Sequence, residues 1–547
     1  MELIVFIFTY FLLSLNIIGY GYFFAKNITT YNKNSHIGYI GLYGIVFLTL
    51  ISYLTNLIIK HDYLHNVIIQ IIGIFFFFQY FLSIKKFKKN EDVRYLIFFL
   101  FLSIFSILYF KSHDDFTYYH LSFIHNLTLN KLEFGLGNFD LAFNHISSLF
   151  FFHSLFSLPF TQDYFYFLGP ALIMVFVNTI LIKSILENKR KLNFHFFLKL
   201  FIFIFINIFF YRLAEHGTDR SAIILIFLSI LIIFEILDNN KLKNQLFENL
   251  IILLTFIISL KSFYVIYSLL FLLIYFKYFK ILNIPIFYKN FKIVNLSIIF
   301  GILILFYNIA YTGCFIYPLS FTCFEKFYWG LDISKVQEAA QWYELWSKAG
   351  ATPNYRVENP ESYIKGFNWL SVWFDNYFFN KVADTTAGII LIILIFLLIL
   401  RPNKKIFIIN NKYNYVFALL FIFLIEWFLF HPSLRYGGFH LIALLFFIPA
   451  AIFLGSQNYD YLKNFKKIQI ILIIGIVIFS FRNIDRIINE NEIYSYNPFK
   501  SPYYKIQTKD YYLKMKKEVI LKNTNQCKNE FKKNYNCKIV NSYRIFY

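Results

Sequence analysis

The chain has 547 residues, of which 58% are hydrophobic and only 15% charged, and its mean hydropathy is +0.56. This composition excludes an ordinary soluble globular domain, and repeated apolar stretches of about 17–25 residues reach the length at which a helix crosses a bilayer. The net charge of +21 does not point to nucleic acid, because the lysines fall between the apolar stretches, where the positive-inside rule accounts for them.

In chain order, apolar segments at 2–25, 38–59, 66–84, 95–110, 164–186, 194–213, 221–238, 249–260, 262–277, 293–313, 385–400, 414–431, 436–455 and 468–484 predict about fourteen transmembrane helices. The fold class is therefore an all-α polytopic integral membrane protein. Backbone groups in lipid must be satisfied internally, which favours helices, and the ~10-residue alternating segments of a membrane β-barrel are not visible. The first segment has neither a charged leader nor a small-residue cleavage site and reads as a retained helix. The eighth and ninth segments are short and meet at Lys261, so they form two spans or one bent or re-entrant hairpin. With 75 Phe and 43 Tyr in the chain, runs such as Phe75 to Phe78 reflect the codon bias of an AT-rich genome and not a binding surface.

Counted alternately, the fourteen segments put the basic loops on one side. These loops hold Lys85, Lys86, Lys88, Lys89 and Arg94; Lys189, Arg190 and Lys191; Lys277, Lys280, Lys289 and Lys292; Arg401, Lys404 and Lys405; and Lys463, Lys466 and Lys467. The opposite short connections hold only Arg220, Lys261 and Arg435, so the basic side is cytoplasmic. Three polar segments, 111–163, 314–384 and 485–547, then face outward. They contain all four cysteines, as the close pairs Cys314/Cys323 and Cys527/Cys537. Two local disulfides in an oxidising compartment are the natural reading, and the spacings lack a zinc signature.

The first polar segment opens KSHDDFTYYHLSFIHN. Asp114 and Asp115 sit where a helix leaves the membrane. Such a pair is either a solvated helix end, or a divalent-metal or proton-accepting site in which mutual repulsion raises one pKa. Tyr118, Tyr119 and His120 follow in an aromatic, amphipathic stretch. Gly135 and Gly137 permit a turn beside Asn138, Asp140 and Asn144, and His120 and Asn138 are candidate substrate-binding groups.

A second cluster, RLAEHGTDRSA, crowds Glu215, His216, Asp219 and Arg220 beside lipid, which is costly unless the groups are paired or functional. Asp219–Arg220 or Glu215–Arg212 pairing is the plain alternative. Lys261 either snorkels to the interface or meets an anion. Arg435, in HPSLRYGG, can hold a phosphate bidentately with Gly437 and Gly438 letting the backbone approach, or is one more cation at a turn. The segment from Ile333 to Lys348 has helical spacing and is expected along the membrane surface. Trp329, Trp342, Trp346, Trp369 and Trp373, five of six tryptophans, are read as interface anchors or as stacking platforms for sugar rings.

The run GLGNFD…FNHISSLFF, with DDFTYYH upstream, resembles a bacterial family of multi-pass membrane proteins, which in turn resembles the C-type glycosyltransferases that use polyprenyl-phosphate sugars. The likeness covers roughly residues 95–450 in architecture and is specific in motif at 113–148. It implies three leading helices over 1–94 and a seven-helix transferase-like core over 95–313 with its acidic outer loop 111–163. The outer loop 314–384, four helices over 385–484 and an outer tail 485–547 would follow.

It further implies Asp114 or Asp115 as catalytic base, Glu215 and Asp219 as a second acidic site, and Lys261 and Arg435 on the donor phosphate. A divalent cation, Mg or Mn, is optional in such folds, with Asp114 and Asp219 as its ligands. The implied partners are the lipid bilayer, a polyprenyl-phosphate-linked sugar, and a glycan, lipid or protein acceptor, at the extracytoplasmic face of a bacterial cytoplasmic membrane. Rival readings are an envelope polysaccharide polymerase or ligase, and a lipid-linked-glycan transporter or flippase. The last would use charges deep in spans, where Glu235 and Glu426 are the candidates.

Overall fold

The computed structural model describes residues 1–30, 36–84, 91–113, 115–161, 163–187, 192–239, 242–278, 290–324, 326–351, 357–400, 402, 413–505 and 537–547; the side chains at 117, 214–216 and 462 also fall outside the description. Asp114, Cys527, the Glu215 and His216 side chains and most of the basic loops thus lie outside the described residues.

The long helices in chain order are α1 (Glu2–Ile28), α2 (Ile37–Asn56), α3 (Tyr63–Ser83), α4 (Glu91–Ile107), α5 (Leu168–Glu187), α6 (Phe194–Phe209), α7 (Leu213–Asp238) and α8 (Asn244–Leu260). They continue with α9 (Leu270–Tyr278), α10 (Phe291–Thr312), α11 (Ile333–Lys348), α12 (Ala383–Ile399), α13 (Asn414–Phe430), α14 (Gly438–Ser456) and α15 (Tyr461–Tyr494). Every predicted apolar segment coincides with a helical stretch. Among the described residues, nine helices are long and apolar enough to cross a membrane, and four more apolar helices are shorter. The chain is an all-α multi-pass membrane protein with one small addition, an antiparallel hairpin of β1 (Cys537–Val540) and β2 (Tyr543–Phe546).

At the centre stands α7, which packs against α4, α5, α6, α8, α9 and α14. From Ala222 to Ile236 it presents Ile, Leu and Phe on every side, and its apolar side chains there are almost wholly buried. A helix apolar all round belongs inside a bundle, not at its lipid surface. The opposite pattern marks α3, α10 and α12, whose apolar windows are only 28% buried.

The short eighth and ninth segments form a hairpin. After α8 the chain passes through extended Lys261 into a tight helix, Ser262–Leu269, and then α9. At its far end the Lys277 ammonium bonds the Ile236, Leu237 and Asn239 carbonyls at the end of α7, so Lys261 is the tip of the reversal.

The three polar segments share one end of the bundle. The Phe134 N–H donates to the Arg544 carbonyl at 3.0 Å and Phe546 N–H to the Phe134 carbonyl at 2.9 Å. The Tyr504 hydroxyl donates to the Asp163 carbonyl at 3.1 Å, and Tyr343 bonds His145 at 3.0 Å. At the other end, ion pairs tie helix termini together: Lys183–Asp92, 2.5 Å, and Lys199–Glu235, 2.7 Å. Glu235 is therefore closed by a lysine that the sequence did not suggest as its partner.

Candidate functional site

Four distant pieces of chain deliver charge to one spot. Asp115 begins the wide, π-helical turn Phe116–His120, Asp219 lies in the first turns of α7, Lys261 tips the α8–α9 hairpin, and Arg435 occupies the turn Leu434–Tyr436 between α13 and α14. The α7 start is kinked at Gly217, where φ is +50° and a Cβ would come within 2.6 Å of His120 Cε1. Only glycine lets this backbone approach the His120 ring.

The Arg435 turn is braced from three sides. Trp373 Nε1 donates to the Pro432 carbonyl at 2.8 Å, Trp427 Nε1 to the Ser433 carbonyl at 2.7 Å, and the Leu434 N–H to the Tyr377 hydroxyl at 2.8 Å. Trp373 thus holds the arginine turn and is not a free interface anchor. Gly437 and Gly438 serve the fold too: the first has φ +130°, and a Cβ on the second would lie 2.5 Å from the Trp427 ring.

Arg435 bridges the two acids, with Nη2 2.6 Å from Asp115 Oδ2 and Nε 2.9 Å from Asp219 Oδ2. Lys261 Nζ takes the other Asp219 oxygen at 2.7 Å. The Asp219 side chain is only 6% exposed, and a carboxylate so buried requires this double pairing. The Asp219–Arg220 pair, the plain alternative for this cluster, does not form. Arg220 lies instead between the rings of Phe210 and Phe439, at 4.3 and 4.5 Å from their centroids.

All four residues line one cavity of about 1750 Å³, with His113, Tyr119, His120 and Tyr436 around them. Beside α8 and α10 its wall turns apolar, through Ile258, Ile266, Ile304 and Leu305. The helix α11 does not lie free on a surface: Tyr343 and Trp346 line the cavity, and the Arg435 guanidinium lies 5.6 Å from the centroid of the Trp346 ring. Glu426 also lines it, with one oxygen 3.8 Å from His431 Nδ1.

Burial alone would raise the Asp115 carboxyl, but the Arg435 guanidinium overrides it and holds that carboxyl well below the usual range. The sequence argument expected mutual repulsion to raise one of Asp114 and Asp115; Asp114 lies outside the described residues, and at Asp115 a cation 320 residues away in the chain decides the sign. Burial pushes the His120 imidazole down to about 3 despite the pull of Asp115, so its ring is neutral.

The remaining expected residues divide. His120 lines the cavity, whereas Asn138 does not: its Nδ2 donates to the Trp329 carbonyl at 2.8 Å, tying the first polar segment to the second. Cys314 and Cys323 form a disulfide; Cys537 is disulfide-bonded as well. Among the described residues, which leave out the expected ligand Asp114, the donor set does not suit a divalent cation. Both Asp219 oxygens already face cations, a guanidinium stands between the two acids, and no three His, Cys, Asp or Glu side chains gather in a metal-holding group among the described residues.

No curated protein and no solved structure matches the chain. Residues 1–442 match the family described as Domain of unknown function (DUF8201). The chain belongs to the DUF8201 family. The matched stretch contains Asp115, Asp219, Lys261 and Arg435 and stops within α14, before α15 and the terminal hairpin. In this DUF8201 chain the cavity residues that sequence reasoning missed, Tyr377, Lys381, Tyr436 and Arg482 among them, sit in aromatic-rich or apolar surroundings that offered no distinguishing signal.

Proposed function

We propose that the protein is an inverting membrane glycosyltransferase, moving a hexosyl or pentosyl group from a polyprenyl-phosphate donor to a cell-envelope acceptor on the extracytoplasmic side of a bacterial cytoplasmic membrane. The observation that carries this reading is the meeting of Asp115, Asp219, Lys261 and Arg435 in one cavity that is polar at the charges and apolar beside α10. An amphiphile with a phosphate between sugar and hydrocarbon has that same sequence of chemistries. The fourteen-span count, and a core running from α4 to α10, belong to the same reading.

The chemistry follows from exchange of partners. Donor phosphate displaces Asp115 from Arg435 Nη2 and approaches Lys261 beside Asp219. Once the guanidinium turns to phosphate, Asp115 loses what holds its pKa down, while its desolvation remains, so it becomes a competent base. It then takes the proton of the acceptor hydroxyl, whose oxygen attacks the anomeric carbon. The anomeric C–O bond breaks and its electron pair leaves with the lipid phosphate, stabilised by the two fixed cations in a poorly hydrated site. Asp219 stays between Lys261 and Arg435 and orients both.

A transporter reading has less behind it, since Glu235 is already paired with Lys199. Replacing the native protein by Asp115→Asn and profiling envelope glycans by mass spectrometry tests the proposal. Loss of one glycan species is expected; an unchanged profile contradicts it.

A further inference from the structure

The constellation at Arg435 is internally balanced, two carboxylates against Lys261 and Arg435. The same cavity is lined by a second charged group, the second lobe: Arg220 on α7, Lys381 just before α12 and Arg482 on α15, with Asp384. Among the described residues no carboxylate lies within ion-pair distance of any of these three cations. Aromatic rings and backbone hold them instead. Arg220 has its two phenylalanine rings. Arg482 donates to the Ile208 carbonyl at 2.7 Å and lies 3.9 Å over Tyr211, and Lys381 lies 5.3 Å over Tyr377.

One carbonyl uses one of the five N–H donors of a guanidinium, which leaves Arg482 able to grip an oxyanion bidentately. Arg220 and Arg482 both belong to helices apolar and long enough to span the membrane. Charge at such positions is costly unless it serves a ligand or a pathway. On the outside, α12 and α15 each pack on α6, where Ile208 and Phe209 are only half-buried, and both helices carry exposed apolar residues, Leu394 and Phe481 among them.

We propose that this second lobe binds the acidic headgroup, a phosphate or phosphodiester, of a lipid that enters between α12 and α15. Naming that lipid as the acceptor rests on the transferase reading; its binding does not. Three cations against one carboxylate select an anionic over a zwitterionic headgroup, and their place within spanning helices selects a lipid over a soluble ion.

The test needs neither donor nor turnover. Full-length protein is taken from phosphatidylcholine nanodiscs containing a trace of phosphatidic acid, and the retained lipid is counted by native mass spectrometry. Wild type should retain one phosphatidic acid, and the pair Lys381→Gln with Arg482→Gln should lower retention at least tenfold. The charge-keeping pair Lys381→Arg with Arg482→Lys, and Lys261→Met in the balanced cluster, should keep it. Retention undiminished in the Gln pair overturns the proposal, as does equal loss in the charge-keeping pair or in Lys261→Met. Wild type that binds inorganic phosphate without preferring phosphatidic acid over phosphatidylcholine overturns it too.

Discussion

The Arg435 guanidinium meets Asp115 at 2.6 Å, joining the first polar loop to a turn 320 residues further along the chain. Through the same side chain it reaches Asp219 on the central helix, so one arginine fixes the spacing of both acids. Removing it leaves two partly or wholly desolvated carboxylates, one of them still held by Lys261.

Arg435→Gln should therefore cost about 3 kcal/mol or more of stability, the range for breaking a buried pair, whereas Lys261→Met should cost less because Asp219 keeps Arg435. Thermal unfolding of the two variants in the same detergent checks the order. A larger loss for Lys261→Met would mean that Arg435 is not the organising cation.

The depressed Asp115 pKa has a kinetic signature. In the free protein the group is ionised throughout the ordinary carboxylate range, so kcat/KM should show no acidic limb from it. The donor complex, with Arg435 turned to phosphate, should show one in kcat at higher pH, since kcat reports the bound state. An Asp115-dependent acidic limb in both profiles would contradict partner exchange.

Gly217→Ala should destabilise by roughly 1–2 kcal/mol or more, because its positive φ and the His120 ring 2.6 Å from a Cβ both oppose a side chain. Gly301→Ala is the control: it lines the same cavity but its Cβ would meet nothing within 4 Å. Thermal unfolding separates them, and equal effects would mean that the kink is not required.

The terminal hairpin is a clamp at the site end. Arg544 pairs with Glu133, which is 2% exposed and also accepts from Asn126 at 2.8 Å. Burial already raises the Glu133 carboxyl. Without its partner the folded state should favour the protonated acid further, so Arg544→Ala should unfold at lower temperature at pH 8 and recover as pH falls toward 5. That sign follows because the folded state binds more protons than the unfolded one across the window. Melting curves at several pH values check it, and a deficit that does not shrink on acidification would contradict it.

Much of this was readable from residue order because membrane helices announce themselves locally. Each apolar segment needs about twenty residues, and charges between segments are conspicuous against such a background. Asp115, Asp219, Lys261 and Arg435 could be singled out one by one for that reason. Their pairing could not be read, because which cation faces which acid is settled by helix packing. The same holds for Asn138, where a polar residue beside a glycine turn reads as a binding group but ties two loops together. Trp373 and Trp427 look like interface residues by type, and only the fold turns their N–H groups onto the Arg435 turn. Arg220, Lys381 and Arg482 lie far apart in the chain, and only the packing of α7, α12 and α15 brings them to one cavity.

The most direct measurement is release of polyprenyl phosphate when purified protein in nanodiscs meets a panel of polyprenyl-phosphate sugars with an envelope lipid extract as acceptor. Wild type should release it with at least one donor, Asp115→Asn and Arg435→Gln should each fall at least about a hundredfold, a loss on the scale of general-base and oxyanion-type stabilisation, and the transferred sugar should appear on an acceptor with inverted configuration. No release with any donor, or equal release by Asp115→Asn, would contradict the glycosyl-transfer assignment.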